Sequence, residues 1–132
     1  MYRYLERNRI ALIYWPLGIY WATLLVLTSL PGHDLPNFNV SDKLEHFLAF
    51  CVLATLLGIS LFVQGKYLKL KKYSSSVTLL IVGIYAALDE LHQLFIPGRY
   101  CEFLDWIADF TGALAGIIII TLVLKYLVSR QF

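Results

Sequence analysis

Residues Ile10–Leu30 read IALIYWPLGIYWATLLVLTSL, a run of 21 residues without a charged side chain or a histidine. An α-helix rises about 1.5 Å per residue, so this run is long enough to cross the roughly 30 Å of hydrocarbon in a bilayer. It predicts a transmembrane helix near the N-terminus.

Three further uncharged runs follow, and each is shorter. They are Phe47–Val63 with 17 residues, Tyr73–Leu88 with 16 and Phe110–Leu124 with 15. As helices they reach only about 22–26 Å, so each must include neighbouring polar residues to span the bilayer. We expect helices over residues 10–30, 42–63, 73–95 and 103–128. The prediction is a single all-α domain over residues 1–132, an integral membrane bundle of four transmembrane helices.

The composition agrees with a membrane protein. Hydrophobic residues make up 59% of the 132 residues and charged residues 15%, with a mean hydropathy of +0.68. Soluble domains use roughly 45–50% apolar residues, so most soluble classes are excluded. The net charge of +2 does not support nucleic-acid binding. Cys51 and Cys101 form neither a disulfide framework nor a zinc spacing, and we expect two free thiols.

The basic residues predict the orientation. Nine of the eleven fall on the side of the N-terminus, which the positive-inside rule assigns to the cytoplasm. They are Arg3, Arg7, Arg9, Lys66, Lys69, Lys71, Lys72, Lys125 and Arg130. With four spans, both termini are expected to be cytoplasmic.

The acidic residues and histidines show the opposite distribution. Eight of the nine acids and all three histidines fall on the outer side. The positive-inside rule constrains Lys and Arg and places little constraint on acids, so it does not explain this segregation. We interpret it as a polar site that faces the cell exterior.

Helical spacing groups the polar residues of the second and fourth helices. Asp42 and His46 are four residues apart, so they point together, and Ser41 is the expected N-cap. Asp105 and Asp109 share a face of the fourth helix. Asp42 and Asp105 can also be explained as partners of the helix dipole, whereas Asp109 lies one turn deeper.

The third helix contributes a second group. Asp89 and His92, at i and i+3, are the expected pair, while Glu90 is rotated about 100° from Asp89 and lies nearer Gln93. Arg99 follows in a Pro-Gly turn, where it can neutralise the acids or bind an anionic ligand bidentately.

Gly112 and Gly116 continue the face of Asp105 and Asp109. Their spacing is the small-xxx-small pattern of closely packed membrane helices. We expect packing inside the bundle, with oligomerisation through the same glycines as an alternative.

Together these motifs resemble the VanZ-like family of small bacterial membrane proteins over about residues 15–124. The motifs are Ser41-Asp42-Lys43-Leu44-Glu45-His46-Phe47, Asp89-Glu90-Leu91-His92-Gln93 with Pro97-Gly98-Arg99, Asp105-Trp106 with Asp109 and Gly112, and Thr28-Ser29-x-Pro31. The family takes its name from a protein that lowers susceptibility to teicoplanin and related lipid-bearing glycopeptides. The resemblance implies the cytoplasmic membrane of a bacterium.

The motif match carries over nine candidate ligand-binding residues, without an assigned chemistry. They are Asp42, His46, Asp89, Glu90, His92, Gln93, Arg99, Asp105 and Asp109.

Two functions stay open at this point. In the first, the polar site binds an anionic lipid, a lipid-linked cell-wall precursor or the lipoglycopeptide itself, and so lowers glycopeptide susceptibility. In the second, a divalent cation (Zn²⁺, Mn²⁺ or Mg²⁺) is bound and the protein is an enzyme acting on a phosphate-bearing lipid. Catalytic candidates would be Asp89, His92 and Asp109, and metal ligands would come from Asp42, His46, Asp89, His92, Asp105 and Asp109. Transport ranks last, because the inner halves of the spans are almost entirely apolar.

Overall fold

A computed structural model of the protein describes residues 2–34 and 40–129. Its α-helices are α1 (Tyr2–Arg7), α2 (Trp15–Thr28), α3 (Asp42–Val63), α4 (Leu68–Lys72), α5 (Ser74–Gln93) and α6 (Phe103–Ser129). Four helical stretches are long and apolar enough to cross a membrane: Ile10–Thr28, Asp42–Val63, Ser74–Gln93 and Phe103–Tyr126. The predicted all-α architecture with four membrane-spanning helices is confirmed.

The first span is not a uniform α-helix over 10–30. A π-helical turn, Ile10–Tyr14, precedes α2, and the N–H of Trp15 donates to the carbonyl of Ile10. Pro16 explains the change, because it has no N–H and its ring crowds the carbonyl of the preceding turn. A single wider turn accommodates the ring without breaking the span.

Helix α3 has the bounds expected from the sequence, Asp42–Val63. Ser41 lies in an extended conformation and its side chain accepts a hydrogen bond from the N–H of Leu44 at 3.3 Å. This is the predicted N-cap, which satisfies one of the unpaired N–H groups of the first turn.

The connector that follows α3 contains the short helix α4, which the sequence pattern did not predict. Helix α5 then begins one residue later and ends two residues earlier than expected. At Ile96–Arg99 the chain makes a type II β-turn, in which the N–H of Arg99 donates to the carbonyl of Ile96 at 3.2 Å. Gly98 takes the positive φ of 73° that this turn requires.

Helices α3 and α6 pack with their backbones in close contact. A Cβ atom on Gly112 would overlap the carbonyl of Phe47, and one on Gly116 would overlap the carbonyl of Cys51. The two glycines therefore allow the α3 backbone to approach α6 closely, as the packing interpretation predicts. Oligomerisation through the same glycines stays an untested prediction, although α3 of the same chain already covers this face.

The core lies among α3, α5 and α6, where Leu53, Val82 and Ala113 are fully buried. Helix α2 is peripheral by comparison. In the most apolar stretch of the first span, Ile10–Thr28, 11% of the residues are buried within the protein, against 44% in α3. α2 thus lies beside a three-helix core.

Candidate functional site

The acidic residues and histidines of α3, α5 and α6 converge at one end of the bundle, which we call the polar end. It combines the N-terminal turns of α3 and α6 with the C-terminal turns of α5 and the β-turn after it. Its members are Asp42, Lys43, His46, Asp89, Glu90, Gln93, Arg99, Glu102, Asp105 and Asp109.

His46 lies at the centre of the polar end and contacts acids of three helices. Its Nδ1 is 2.8 Å from Oδ1 of Asp109 and 3.8 Å from Oε1 of Glu90. Its Nε2 is 3.9 Å from Oδ1 of Asp42. Asp42 and His46 do point together, but the short contact crosses from α3 to α6. We refer to His46, Glu90 and Asp109 as the buried triad.

The carboxylates of the buried triad are removed from solvent. Asp109 has no exposed surface, and its Oδ2 has no hydrogen-bond partner among the described residues. Glu90 is 3% exposed, and its Oε2 accepts the backbone N–H of Glu102 at 3.0 Å. This hydrogen bond fixes the start of α6 against α5.

A second cluster lies nearer the end of the bundle and centres on Lys43. Its Nζ donates to Oδ1 of Asp105 at 2.8 Å and to Oε2 of Glu102 at 3.0 Å. We call Lys43, Glu102 and Asp105 the lysine cluster. Sequence reasoning assigned neither Lys43 nor Glu102 to the site, although Lys43 is one of two basic residues on the acidic side.

Asp89 and His92 do not form the expected pair, and no hydrogen bond joins them in the part of the chain that the structure describes. His92 is exposed and its Nε2 lies 3.1 Å from Oγ of Ser29 at the end of α2. Asp89 is 3% exposed, and its Oδ2 lacks a hydrogen-bond partner among the described residues. The i, i+3 spacing leaves the two side chains on adjoining sides of α5, so they meet different neighbours.

Arg99 and Gln93 lie side by side at the C-terminal end of α5. Orienting the amide of Gln93 by its neighbours, its oxygen accepts from Nη2 of Arg99 at 3.2 Å and its nitrogen donates to the carbonyl of Tyr100 at 3.3 Å. The Nε atom of Arg99 is buried without a partner among the described residues. Gln93 thus positions the guanidinium of Arg99.

The polar end opens into a cavity of about 470 Å³ between α2 and α3, which we call the groove. Where the groove meets the polar end of the bundle, it is lined by four of the predicted site residues: Asp42, His46, Asp89 and Arg99. Its walls are mainly apolar and include Leu24, Leu27, Leu48, Ala49 and Phe50. A cavity with a charged end and apolar walls matches an amphiphile with a polar head.

Sequence reasoning assigned neither Tyr20 nor Thr28 to the site, although both line the groove. The hydroxyl of Tyr20 donates to the carbonyl of Ala49 at 2.9 Å and so joins α2 to α3. In the sequence both residues belong to the uncharged run of the first span, and nothing in that pattern marks them as lining a cavity.

The residues proposed from sequence as one metal site do not form one group. Among the described residues, two groups place three ligand atoms within 4.8 Å of one another. One is Asp42, His46 and Asp105, and the other is the buried triad. Asp89 and His92 belong to neither, whereas Glu90, which was not among the predicted metal ligands, belongs to the second.

A family model described as VanZ/LLP1 matches residues 7–124 of the chain. The chain belongs to the VanZ/LLP1 family. The match contains the whole polar end and the groove, so both lie within the VanZ/LLP1 domain. No curated protein and no solved structure gives a significant match.

Proposed function

We propose that this VanZ/LLP1 protein binds a membrane amphiphile in the groove, with an anionic head at the polar end and an apolar chain between α2 and α3. The observation that carries the proposal is the groove itself, about 470 Å³ with charged side chains at one end and apolar walls. Ligand cavities of this size, mostly apolar with a few polar groups, are typical of small-molecule sites.

The apolar walls support a lipid-like chain. Leu24 and Leu27 face the groove from α2, and Leu48 and Phe50 face it from α3. Both helices are membrane-spanning, so the groove lies beside the acyl chains of the bilayer. An amphiphile can therefore enter from the bilayer without exposing its chain to water.

The position of Arg99 supports the proposal that the ligand has an anionic head. Among the described residues that line the groove, Arg99 is the one Arg or Lys, and its Nε has no partner among the described residues. A guanidinium offers five N–H donors in a planar fork that matches phosphate and carboxylate oxygens. Gln93 binds Nη2, and Nε is the donor without a partner among the described residues, so it is left for a ligand.

We propose an orientation with the polar end at the exterior of a bacterial cytoplasmic membrane and both termini in the cytoplasm. The distribution of the basic residues supports this orientation. Ligands of fitting chemistry there are anionic lipids, lipid-linked cell-wall precursors and lipoglycopeptides. We propose that binding of such a ligand lowers the susceptibility of the cell to teicoplanin-type glycopeptides.

The binding proposal is tested with detergent-purified protein and phosphatidylglycerol as the probe, by titration under native mass spectrometry. We expect Arg99→Ala to raise the dissociation constant at least about tenfold, equivalent to about 1.4 kcal/mol. Lys69→Ala is the matched control, because it removes an exposed charge from the connector at the opposite end. Equal weakening by both variants would contradict a headgroup site at Arg99.

The position of the apolar chain is tested separately by filling the groove. Ala49→Phe places a ring between α2 and α3 and should reduce lipid binding while Arg99 is intact. Ala22→Phe, on an exposed position of α2, is the control and should leave binding unchanged. Unchanged binding by Ala49→Phe would place the lipid elsewhere.

The cellular part of the proposal is tested by expressing the protein in a susceptible bacterium. We expect a higher inhibitory concentration for teicoplanin and no change for a glycopeptide without the acyl chain. Arg99→Ala should remove the difference. An equal shift for both drugs would argue against a role of the lipid chain.

A further inference from the structure

The buried triad and the lysine cluster differ in how their acids are neutralised. In the lysine cluster, Lys43 lies within 3.0 Å of both carboxylates. In the buried triad, the salt bridges of Glu90 and Asp109 found among the described residues are to His46 alone. Two buried acids of the triad thus share one imidazole.

Such an arrangement is costly at membrane depth unless a cation or a proton compensates it. An ionised carboxylate at the centre of a membrane helix costs about 2.5–3.5 kcal/mol even on insertion scales. A buried pair is tolerated when the geometry is good and the remaining lone pairs are satisfied. Here Oδ2 of Asp109 is fully buried and unsatisfied among the described residues, so the triad has acceptor capacity left over.

We propose that the buried triad binds one divalent transition-metal ion, Zn²⁺ or Mn²⁺, through Nδ1 of His46 and carboxylate oxygens of Glu90 and Asp109. These ligand atoms come from three helices and lie within 4.8 Å of one another. One imidazole and two carboxylates are a donor set that both ions accept. The ion would supply the positive charge that no Lys or Arg provides in this part of the described structure.

The surroundings of His46 fit a metal ligand. A metal-binding histidine usually donates its other ring N–H to a carboxylate, which fixes the tautomer. With Nδ1 on the metal, Nε2 carries the proton, and Oδ1 of Asp42 lies 3.9 Å away. A small rotation of the exposed Asp42 side chain would close that distance to a hydrogen bond.

The alternative group of Asp42, His46 and Asp105 fits less well. Oδ1 of Asp105 already accepts from Lys43 at 2.8 Å, and the side chain of Asp42 is 60% exposed. A metal there would compete with Lys43 for Asp105. The buried triad carries no such competing cation among the described residues.

The metal site goes beyond the proposed lipid binding and does not depend on it. A lipid can bind through Arg99 with the triad metal-free, and a metal can bind with the groove vacant. Metal content and lipid affinity are therefore measured separately. A negative result for one proposal does not contradict the other.

The test measures the metal content of the intact, detergent-purified protein by inductively coupled plasma mass spectrometry. The protein is first treated with a chelator and then reloaded with Zn²⁺ or Mn²⁺. We expect about one equivalent in the wild type. His46→Gln and Glu90→Gln should each lower it at least tenfold. His92→Gln is the matched control, because His92 is an outer histidine that contacts Ser29 outside the triad, and it should retain the full equivalent.

Asp105→Asn separates the two candidate groups. It should leave the metal content unchanged, since Asp105 belongs only to the alternative group. Loss of metal in Asp105→Asn with retention in Glu90→Gln would overturn the assignment to the buried triad. So would a wild type that holds no stoichiometric ion after reloading, or a content unaffected by His46→Gln.

A readout on the wild type keeps the test valid if the variants fail to fold. Added Zn²⁺ or Mn²⁺ should raise the thermal unfolding midpoint of the chelated protein, because a ligand that binds the folded state stabilises it. The rise should persist in Asp105→Asn. No rise with either ion in the wild type would contradict the proposal.

Discussion

Helix α3 has two very different neighbours. On the α6 side, Gly112 and Gly116 bring the two backbones so close that even a methyl group would overlap a carbonyl of α3. On the α2 side, a cavity of about 470 Å³ separates the helices. The contact of α3 with α6 therefore holds the bundle together, whereas the space between α2 and α3 can admit a ligand.

The contacts of α2 with the rest of the protein explain why the groove between α2 and α3 can open. Near its middle, the hydroxyl of Tyr20 reaches the carbonyl of Ala49. At the end of the first span, Ser29 contacts His92, and the N–H of Gly32 donates to the carbonyl of Pro97 at 3.1 Å. Side chains of α2 also pack on the core, where Leu24 is buried and the ring of Trp21 meets that of Tyr85. Among the described residues, α2 has no glycine contact with α3 like those of α6, so we expect α2 to move more easily than α6.

The largest effect should come from adding a methyl group to the α3–α6 contact. Gly112→Ala forces a Cβ atom into the carbonyl of Phe47, so the helices must separate. Overpacking typically costs about 1–3 kcal/mol, and we expect the upper part of that range because the obstacle is backbone. Unfolding by titration with a denaturing detergent measures the change.

Gly18→Ala is the control for that substitution. Gly18 lies inside α2, and a Cβ atom there would meet nothing within 4 Å. Ala in a helix interior is favoured over Gly by roughly 0.5–1 kcal/mol, so this variant should be neutral or more stable. Equal destabilisation by both variants would show that the α3–α6 contact is not tighter than the surroundings of α2.

An intermediate effect is expected where the first span is tied to the β-turn after α5. A Cβ atom on Gly32 would overlap the carbonyl of Gly98. Gly32→Ala should therefore break the hydrogen bond to Pro97, worth about 0.5–1.5 kcal/mol, and release the end of α2. Faster amide hydrogen exchange in the last turn of α2, with unchanged exchange in α6, would be the signature.

Gly65→Ala is the matched control for the release of α2. Its added Cβ would meet a guanidinium nitrogen of Arg9 at 3.5 Å, an ordinary contact. Exchange in α2 should then stay at the wild-type rate. Faster exchange in α2 and α6 alike for Gly32→Ala would indicate general destabilisation instead of local release.

Features set by local spacing were predicted from the sequence. The bounds of α3, its Ser41 cap and the packing role of Gly112 and Gly116 all follow from apolar run length, capping chemistry and helical periodicity. The gathering of acids at one end also follows, because antiparallel spans bring alternate helix ends together.

Contacts between helices were not predicted. The short bond of His46 to Asp109, and the pairing of Lys43 with Asp105, join residues more than sixty positions apart. They depend on how each helix is rotated about its axis, and a sequence of almost uniformly apolar spans leaves that rotation undetermined. The expected pairing of Asp89 with His92 is not formed for the same reason, because Ser29 at the end of α2 lies beside His92.

The smallest effect should come from the contact of Tyr20 with Ala49 across the groove. Tyr20→Phe removes the hydroxyl that donates to the Ala49 carbonyl and keeps the ring. A hydrogen bond contributes about 0.5–1.5 kcal/mol, and stability should fall by the lower end of that range because the ring stays and no overlap is introduced. Tyr14→Phe, on an exposed ring of the same span, is the control and should have no effect. Because Tyr20 also lines the groove, the variant should speed lipid entry and release together and leave the affinity nearly unchanged, whereas a lipid that hydrogen-bonds the hydroxyl would lose affinity.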